Sequence, residues 1–291
     1  MFYSEKAVVF VEIKKCEGRF TMSGRDIRLQ KLFTGGENAV IIAIDHGYMD
    51  GPIRGMENMR ETVGKIDPCV DAILLSPGMM KNVGNAFNCK GAPIPIVRLN
   101  WSTVFCFEWG YGKAQTAYAF SVKDAVALGA EIVLVSLTLK TGDESNDARN
   151  VEIFSRLCNE ARTYGIPVIG ECFPNNSDAI SEEEMHDQVL KGTRILAELG
   201  ADAIKTFHTS RFEEVIDGCP LPVLGLGGHT TPEPVDSLKL ARDEIQQGCK
   251  GVVFGRNAIQ RPDPAAYQKA LCEVVKHGLD PEKAVEKYCL K

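Results

Sequence analysis

From Ala39 onward the chain repeats one phrase: a short apolar run rich in β-branched residues, a polar loop, then an amphipathic stretch that ends at glycine. The runs are Ala39–Ile44, Ala72–Leu75, Ile94–Leu99, Glu131–Leu137, Pro167–Gly170, Ala203–Phe207, Val223–Leu226 and Gly251–Phe254. Runs this short and uniformly apolar suit parallel strands covered on both faces, and the stretches between them suit the crossover helices that such strands require. Helix punctuation supports this reading. Ser121 with Asp124, and Ser181 with Glu184, have the spacing of a capping box, and Asp263-Pro264 and Asp280-Pro281 place a cap before a proline whose missing N–H is harmless in the first turn. Gly165, Gly200, Gly248 and Gly278 stand where left-handed residues end helices. The phrase Leu128-Gly-Ala recurs at Leu199-Gly-Ala, so helix exit and strand entry reuse one solution.

Eight strands alternating with helices close a barrel or make an open doubly wound sheet. No glycine-rich dinucleotide fingerprint follows the first run, whereas glycine loops follow the seventh and eighth, where barrels bind phosphate. The expected fold is therefore α/β, a (β/α)8 TIM barrel over residues 31–291, with an N-terminal extension of residues 1–30 that caps the barrel floor or meets another subunit. A C-terminal helix from Pro281 is expected to pack outside the eighth unit.

Composition narrows the function. With 44% hydrophobic and 25% charged residues, the 291-residue chain has the make-up of a globular domain. A net charge of −6 argues against nucleic acid, which is held by clustered Lys and Arg. The ten cysteines show no paired spacing and read as buried small hydrophobes in a reducing compartment, pointing to the cytoplasm. Near the start only Ala7–Val11 is apolar, too short for a signal segment or a membrane partner.

Candidate chemistry sits at the ends of the runs. Lys205 lies in the sixth, where burial is expected to lower its pKa and leave an amine able to condense with a ketone; the plain alternative is a lysine paired with a carboxylate. Asp45 ends the first run, on the barrel face where catalytic groups collect, as a group that orients hydroxyls or relays a proton. Glu171 ends the fifth as an acid/base candidate or as a partner of Lys140 or Arg98. Arg98 and Asn100 are placed to bind the far end of a substrate, and His46 to contact it. Gly227, Gly228, Gly255 and Arg256 offer bare N–H groups and a cation to a phosphate. A competing arrangement groups His46, His208 and His229 around a metal. His186 and His277 read as helix surface residues.

Asp45-His-Gly-Tyr-Met-Asp-Gly-Pro, Gly200-Ala-Asp-Ala-Ile-Lys-Thr, Gly218-Cys-Pro-Leu-Pro-Val, Gly227-Gly and Gly255-Arg-Asn-Ala-Ile-Gln occur in this order. Together they resemble the archaeal-type class I fructose-bisphosphate aldolase family, over roughly residues 29–288. That family also holds aminodideoxyheptulosonate synthase and the thiolase/aldolase that processes phosphorylated autoinducer-2. The resemblance implies a Schiff-base lysine at Lys205, a first-strand aspartate at Asp45, phosphate contacts at Gly227, Gly228, Gly255 and Arg256, no cofactor, and a homo-oligomer, commonly a decameric ring. It implies a class I aldolase acting on a phosphorylated keto sugar, with the thiolase and the heptulosonate synthase reactions as alternatives. One departure is clear: the family's strand-five Tyr-Pro, whose phenol donates a proton, corresponds here to Phe173-Pro174. A metal-dependent barrel enzyme and a non-catalytic sugar-phosphate binder stay open as further readings.

Overall fold

In the computed structural model, which describes residues 23–290, eight parallel strands close on themselves. They are β1 (Ala39–Ala43), β2 (Ala72–Leu75), β3 (Ile94–Arg98), β4 (Ile132–Leu137), β5 (Val168–Cys172), β6 (Ala203–Thr206), β7 (Val223–Leu226) and β8 (Gly251–Phe254). Each pairs with its neighbours in chain order, and β1 closes on β8 with Ala39 opposite Gly251 and Ile42 opposite Phe254. The (β/α)8 barrel expected from the eight runs is the fold observed.

Alternation along the strands divides the apolar residues into two layers. Ile41, Leu74, Ile96, Leu134, Ile169, Leu224 and Val253 fill the barrel, while Val40, Ile42, Val133, Val168, Ile204 and Val252 point outward into the helices. Because both faces are dry, the strands read as unbroken apolar runs. A polar side chain pointing inward therefore needs a partner inside the barrel or must stand at its open end.

The helix signals act as expected. Ser121 and Ser181 accept from the N–H groups of Asp124 and Glu184. Asp263 and Asp280 cap helices that begin at Pro264 and Pro281. The recurring Leu-Gly-Ala phrase places Gly129 and Gly200 at φ of 96° and 103°, a region that favours glycine. The helix Gly24–Leu32 lies across the floor: Arg28 donates to the carbonyl of Gly165 (2.8 Å), Arg25 pairs with Asp202 (3.1 Å) and Lys31 with Glu131 (2.6 Å). Residues 1–22, including the Ala7–Val11 run, fall outside the described residues. The helix Pro281–Lys287 packs on the helices Pro264–His277 and Pro234–Gln246.

Two features differ from expectation. Between β3 and β4 the chain makes an antiparallel ribbon, Asn100–Ser102 with Thr116–Tyr118, whose connecting loop folds over the C-terminal mouth. Three-residue strands carry too little alternation to announce themselves. His186 is not at the surface. It is buried beside Val189, Thr193 and Leu196 on the inner face of its helix, with Nδ1 2.9 Å from the Thr209 hydroxyl and Nε2 3.2 Å from Glu214. Two such partners satisfy an imidazole that burial would otherwise penalise. His277 is exposed.

Candidate active site

The floor of the mouth is a buried cluster of four charges. Asp45, Arg98, Glu171 and Lys205 are only 3, 2, 1 and 7% exposed. Parallel pairing sets the row: Ser136 stands opposite Glu171, and Glu171 opposite Lys205, on three adjacent strands. Lys205 Nζ donates to Glu171 Oε1 at 2.5 Å. Arg98 donates from Nη1 to Glu171 Oε2 (2.7 Å), from Nη2 to Oε1 (3.2 Å) and from Nε to Asp45 Oδ2 (2.5 Å). The Ser136 hydroxyl accepts from Arg98 and donates to Glu171 Oε2. Two cations thus face two anions, the arrangement that makes ionised groups tolerable in a dry interior.

The electrostatics follow from this geometry. Burial pushes the carboxyls of Asp45 and Glu171 toward the neutral form, but Arg98 and then Lys205 outweigh it and hold both below their ordinary values. Both are carboxylates, so Glu171 carries no proton of its own to give. The isolated neutral amine expected from the sequence is replaced by the pairing alternative: Lys205 is bonded to the Glu171 carboxylate. Of the partners expected for Glu171, Arg98 is the one found; Lys140 pairs with Glu184 at the surface.

Above this floor opens a cleft that collects all but Asn100 of the residues singled out in the sequence as catalytic or substrate-binding: Asp45, His46, Arg98, Glu171, Lys205, Gly227, Gly228, Gly255 and Arg256 line it. One wall belongs to the loops after β7 and β8. Arg256 Nη2 donates to the carbonyl of Gly228 at 3.3 Å, joining the two loops. Gly255 is required by close approach, since a Cβ there would lie 2.4 Å from Cε1 of His46. The opposite wall is apolar. Phe173 packs edge-on against Phe105 (4.6 Å between centroids) and Phe207 (4.9 Å), with Phe107 beyond. The phenyl ring at 173 is part of a hydrophobic wall and brings no hydroxyl.

Asn100 lies behind the cleft, exchanging two hydrogen bonds with the backbone of Ser136, from Nδ2 to its carbonyl (2.7 Å) and from its N–H to Oδ1 (2.8 Å). It supports the serine and does not line the cleft. The three histidines of the metal reading are not brought together: His208 lies 3.3 Å from Gln247 and His229 pairs with Asp178 at 2.9 Å. Among the described residues no three His, Cys, Asp or Glu side chains form a group that could hold a metal ion. Two residues escaped the sequence reading. Ser136 signals itself only as a hydroxyl inside an apolar run. Buried Asn257 donates to the carbonyls of Gly227 (3.0 Å) and His229 (2.8 Å) and fixes the loop after β7 to the one after β8.

Residues 39–261 match the model of the DeoC/LacD family aldolases. An uncharacterized aldolase of Saccharolobus solfataricus is 34% identical over 273 residues, covering 91% of this chain and 99% of that protein. The 3-hydroxy-5-phosphonooxypentane-2,4-dione thiolase of Escherichia coli is 29% identical, covering 91% and 87%. Among solved structures, an archaeal fructose 1,6-bisphosphate aldolase is similar at a TM-score of 0.73 and 26% identity, over 86% of this chain and 98% of that one. Another structure of an archaeal fructose-1,6-bisphosphate aldolase has its catalytic Lys covalently bound to the carbinolamine intermediate of the substrate.

Proposed function

The chain belongs to the DeoC/LacD family of aldolases, and from that premise we propose that Lys205 condenses with the ketone of a substrate carrying one phosphate and uses the resulting iminium to break or form the adjacent carbon–carbon bond. The observation that carries this reading is the in-register row of Ser136, Glu171 and Lys205 at the floor of the cleft. Glu171 accepts the proton that must leave Lys205 before its lone pair can attack a carbonyl. Glu171 passes that proton to the carbonyl oxygen, which leaves as water, and the iminium restores a positive charge at the same place, so once it has formed the buried cluster again holds two cations against two anions. A protein that had become a mere binder would have no use for so costly an arrangement.

The number of phosphates follows from counting cations. Of the described side chains in the cleft that can carry positive charge, Arg98 and Lys205 are committed to Asp45 and Glu171, His229 is committed to Asp178, and burial keeps His46 neutral. Arg256 is left, beside bare glycine backbone suited to an anion. The far wall offers Phe105, Phe107, Phe173 and Phe207, with Asp50 and Asp178 nearby, and a second phosphate there would meet apolar surface and like charge. This favours a monophosphate with a short uncharged far end. 3-Hydroxy-5-phosphonooxypentane-2,4-dione, named in the E. coli relative, has that form; fructose 1,6-bisphosphate, named in the archaeal structures, carries a second phosphate.

All nine described cysteines are free and six are buried, which supports a reducing cytoplasm. No described helix is long and apolar enough to cross a membrane. A homo-oligomer is supported by the family resemblance and is read directly by light scattering. The functional test is turnover of ketose monophosphates against bisphosphates, with and without a chelator. Faster, chelator-insensitive turnover of a monophosphate is expected; a preference for the bisphosphate, or loss of turnover on chelation, contradicts the reading.

A further inference from the structure

Carbon–carbon cleavage through an iminium needs a group that takes a proton from a hydroxyl and returns it to carbon. The cleft restricts the choice. Glu171 accepts bonds on both oxygens from Arg98, Ser136 and Lys205. Asp45 is clamped by Arg98. Residue 173 is a phenylalanine, and His229 is largely exposed in its pair with Asp178. His46 remains. Its ring lies on the bare backbone of Gly255, its Nδ1 is enclosed without a hydrogen-bond partner and stands 4.0 Å from Asp45 Oδ1, and no described residue bonds to Nε2. The ring therefore sits in the cleft between the Lys205 cluster and the Arg256 loop with its hydrogen-bonding capacity unspent.

We propose that His46 is the proton carrier of the reaction, a role that rests on the Schiff-base reading of Lys205. In the cleavage direction the hydroxyl β to the iminium gives its proton to an imidazole nitrogen as the carbon–carbon bond breaks. The electron pair of that bond moves into the iminium to give an enamine, and an aldehyde leaves. The imidazolium returns the proton to the enamine carbon, and water hydrolyses the renewed iminium to a ketone and the ammonium of Lys205.

The charge environment fits a carrier whose state responds to ligand. Burial holds the imidazole down to about 4; Asp45 draws it up, while Arg256, Lys205 and Arg98 push it down. In the free enzyme the ring is neutral, one nitrogen a donor and the other an acceptor. A phosphate bound at Arg256 cancels part of the opposing charge and moves the ring toward neutrality of pH, where a proton carrier works best.

The test uses the full chain and dihydroxyacetone phosphate as probe, with two readouts: borohydride trapping at Lys205 and exchange of the probe's carbon-bound proton with deuterated water. In His46→Gln and His46→Ala, trapping is expected to persist while exchange falls by at least about 100-fold, and added imidazole is expected to raise exchange in the alanine variant. Trapping with unchanged exchange overturns the proposal and leaves the Schiff-base reading standing. Exchange lost in Asp50→Asn but kept in His46→Gln also overturns it and moves the role to that carboxyl. Loss of trapping in both His46 variants makes the residue a binding group and overturns it too. Absence of trapping in the unaltered chain overturns the Schiff-base reading and, with it, this proposal.

Discussion

Replacing Glu171 with glutamine tests whether the buried charges balance one another. Glu171 is 1% exposed and receives Arg98, Ser136 and Lys205. Without its charge, Arg98 and Lys205 face Asp45 alone, and the dry interior holds one uncompensated cation. Removing one partner of a buried pair costs about 3–5 kcal/mol. At roughly 2 °C per kcal/mol for a chain of this size, the melting temperature should fall by about 6–10 °C near pH 7. The sign with pH is also fixed. The folded value of Glu171 lies below its ordinary 4.5, so its contribution is complete above that pH and is lost as pH falls toward the folded value. Thermal unfolding of both proteins from about pH 8 down to about pH 3 gives the comparison. The gap should be constant above 4.5 and narrow below it. Glu171→Gln melting at the unaltered temperature near pH 7, or a gap that widens in acid, would refute the reasoning.

Arg256→Ala should raise KM for a phosphorylated ketone by roughly 10- to 150-fold, the equivalent of about 1.5–3 kcal/mol for a charged hydrogen-bonding group; an unphosphorylated analogue should be unaffected in the same steady-state assay. Glu244 sits on the helix behind β7 with both carboxyl oxygens enclosed and unpartnered, close enough that a Cβ on Gly225 would lie 2.1 Å from its Cδ. Burial, aided by Asp243, raises its folded value well above 4.5, so its contribution is intact below that pH and is lost as pH rises and the unfolded chain ionises first. Glu244→Met should therefore gain on the unaltered protein as pH rises, by about 1–3 kcal/mol in urea titrations at alkaline pH. Ser136→Ala should lower turnover by freeing Glu171 Oε2, with little change in KM.

The barrel was legible because its strands are dry on both faces. Each of the eight apolar runs coincides with a strand to within two residues: Ile44, Leu99 and Phe207 continue a run past the last ladder position, Glu131 and Pro167 precede the first, and the fifth strand extends beyond Gly170 to Cys172. The candidate site was legible for a related reason: a charge inside or just past such a run, as at Lys205, Arg98 and Glu171, has few places to go other than the barrel mouth. Pairing was not legible. Whether Glu171 meets Lys140 or Arg98 depends on strand register and side-chain direction, which single positions do not encode. Ser136 and Asn257 are ordinary polar residues until their partners on other strands and loops are known. His186 shows the converse, a helical histidine whose surroundings alone decide that it is buried.

The central claim is that the amine of Lys205 forms the covalent bond to substrate. Borohydride reduction during turnover of a ketose monophosphate, followed by mass spectrometry of the digested chain, tests it most directly. A reduced adduct is expected on the peptide that contains Lys205, accompanied by loss of activity, with none formed in Lys205→Met. Full activity after reduction, or an adduct on a different lysine, would contradict the account.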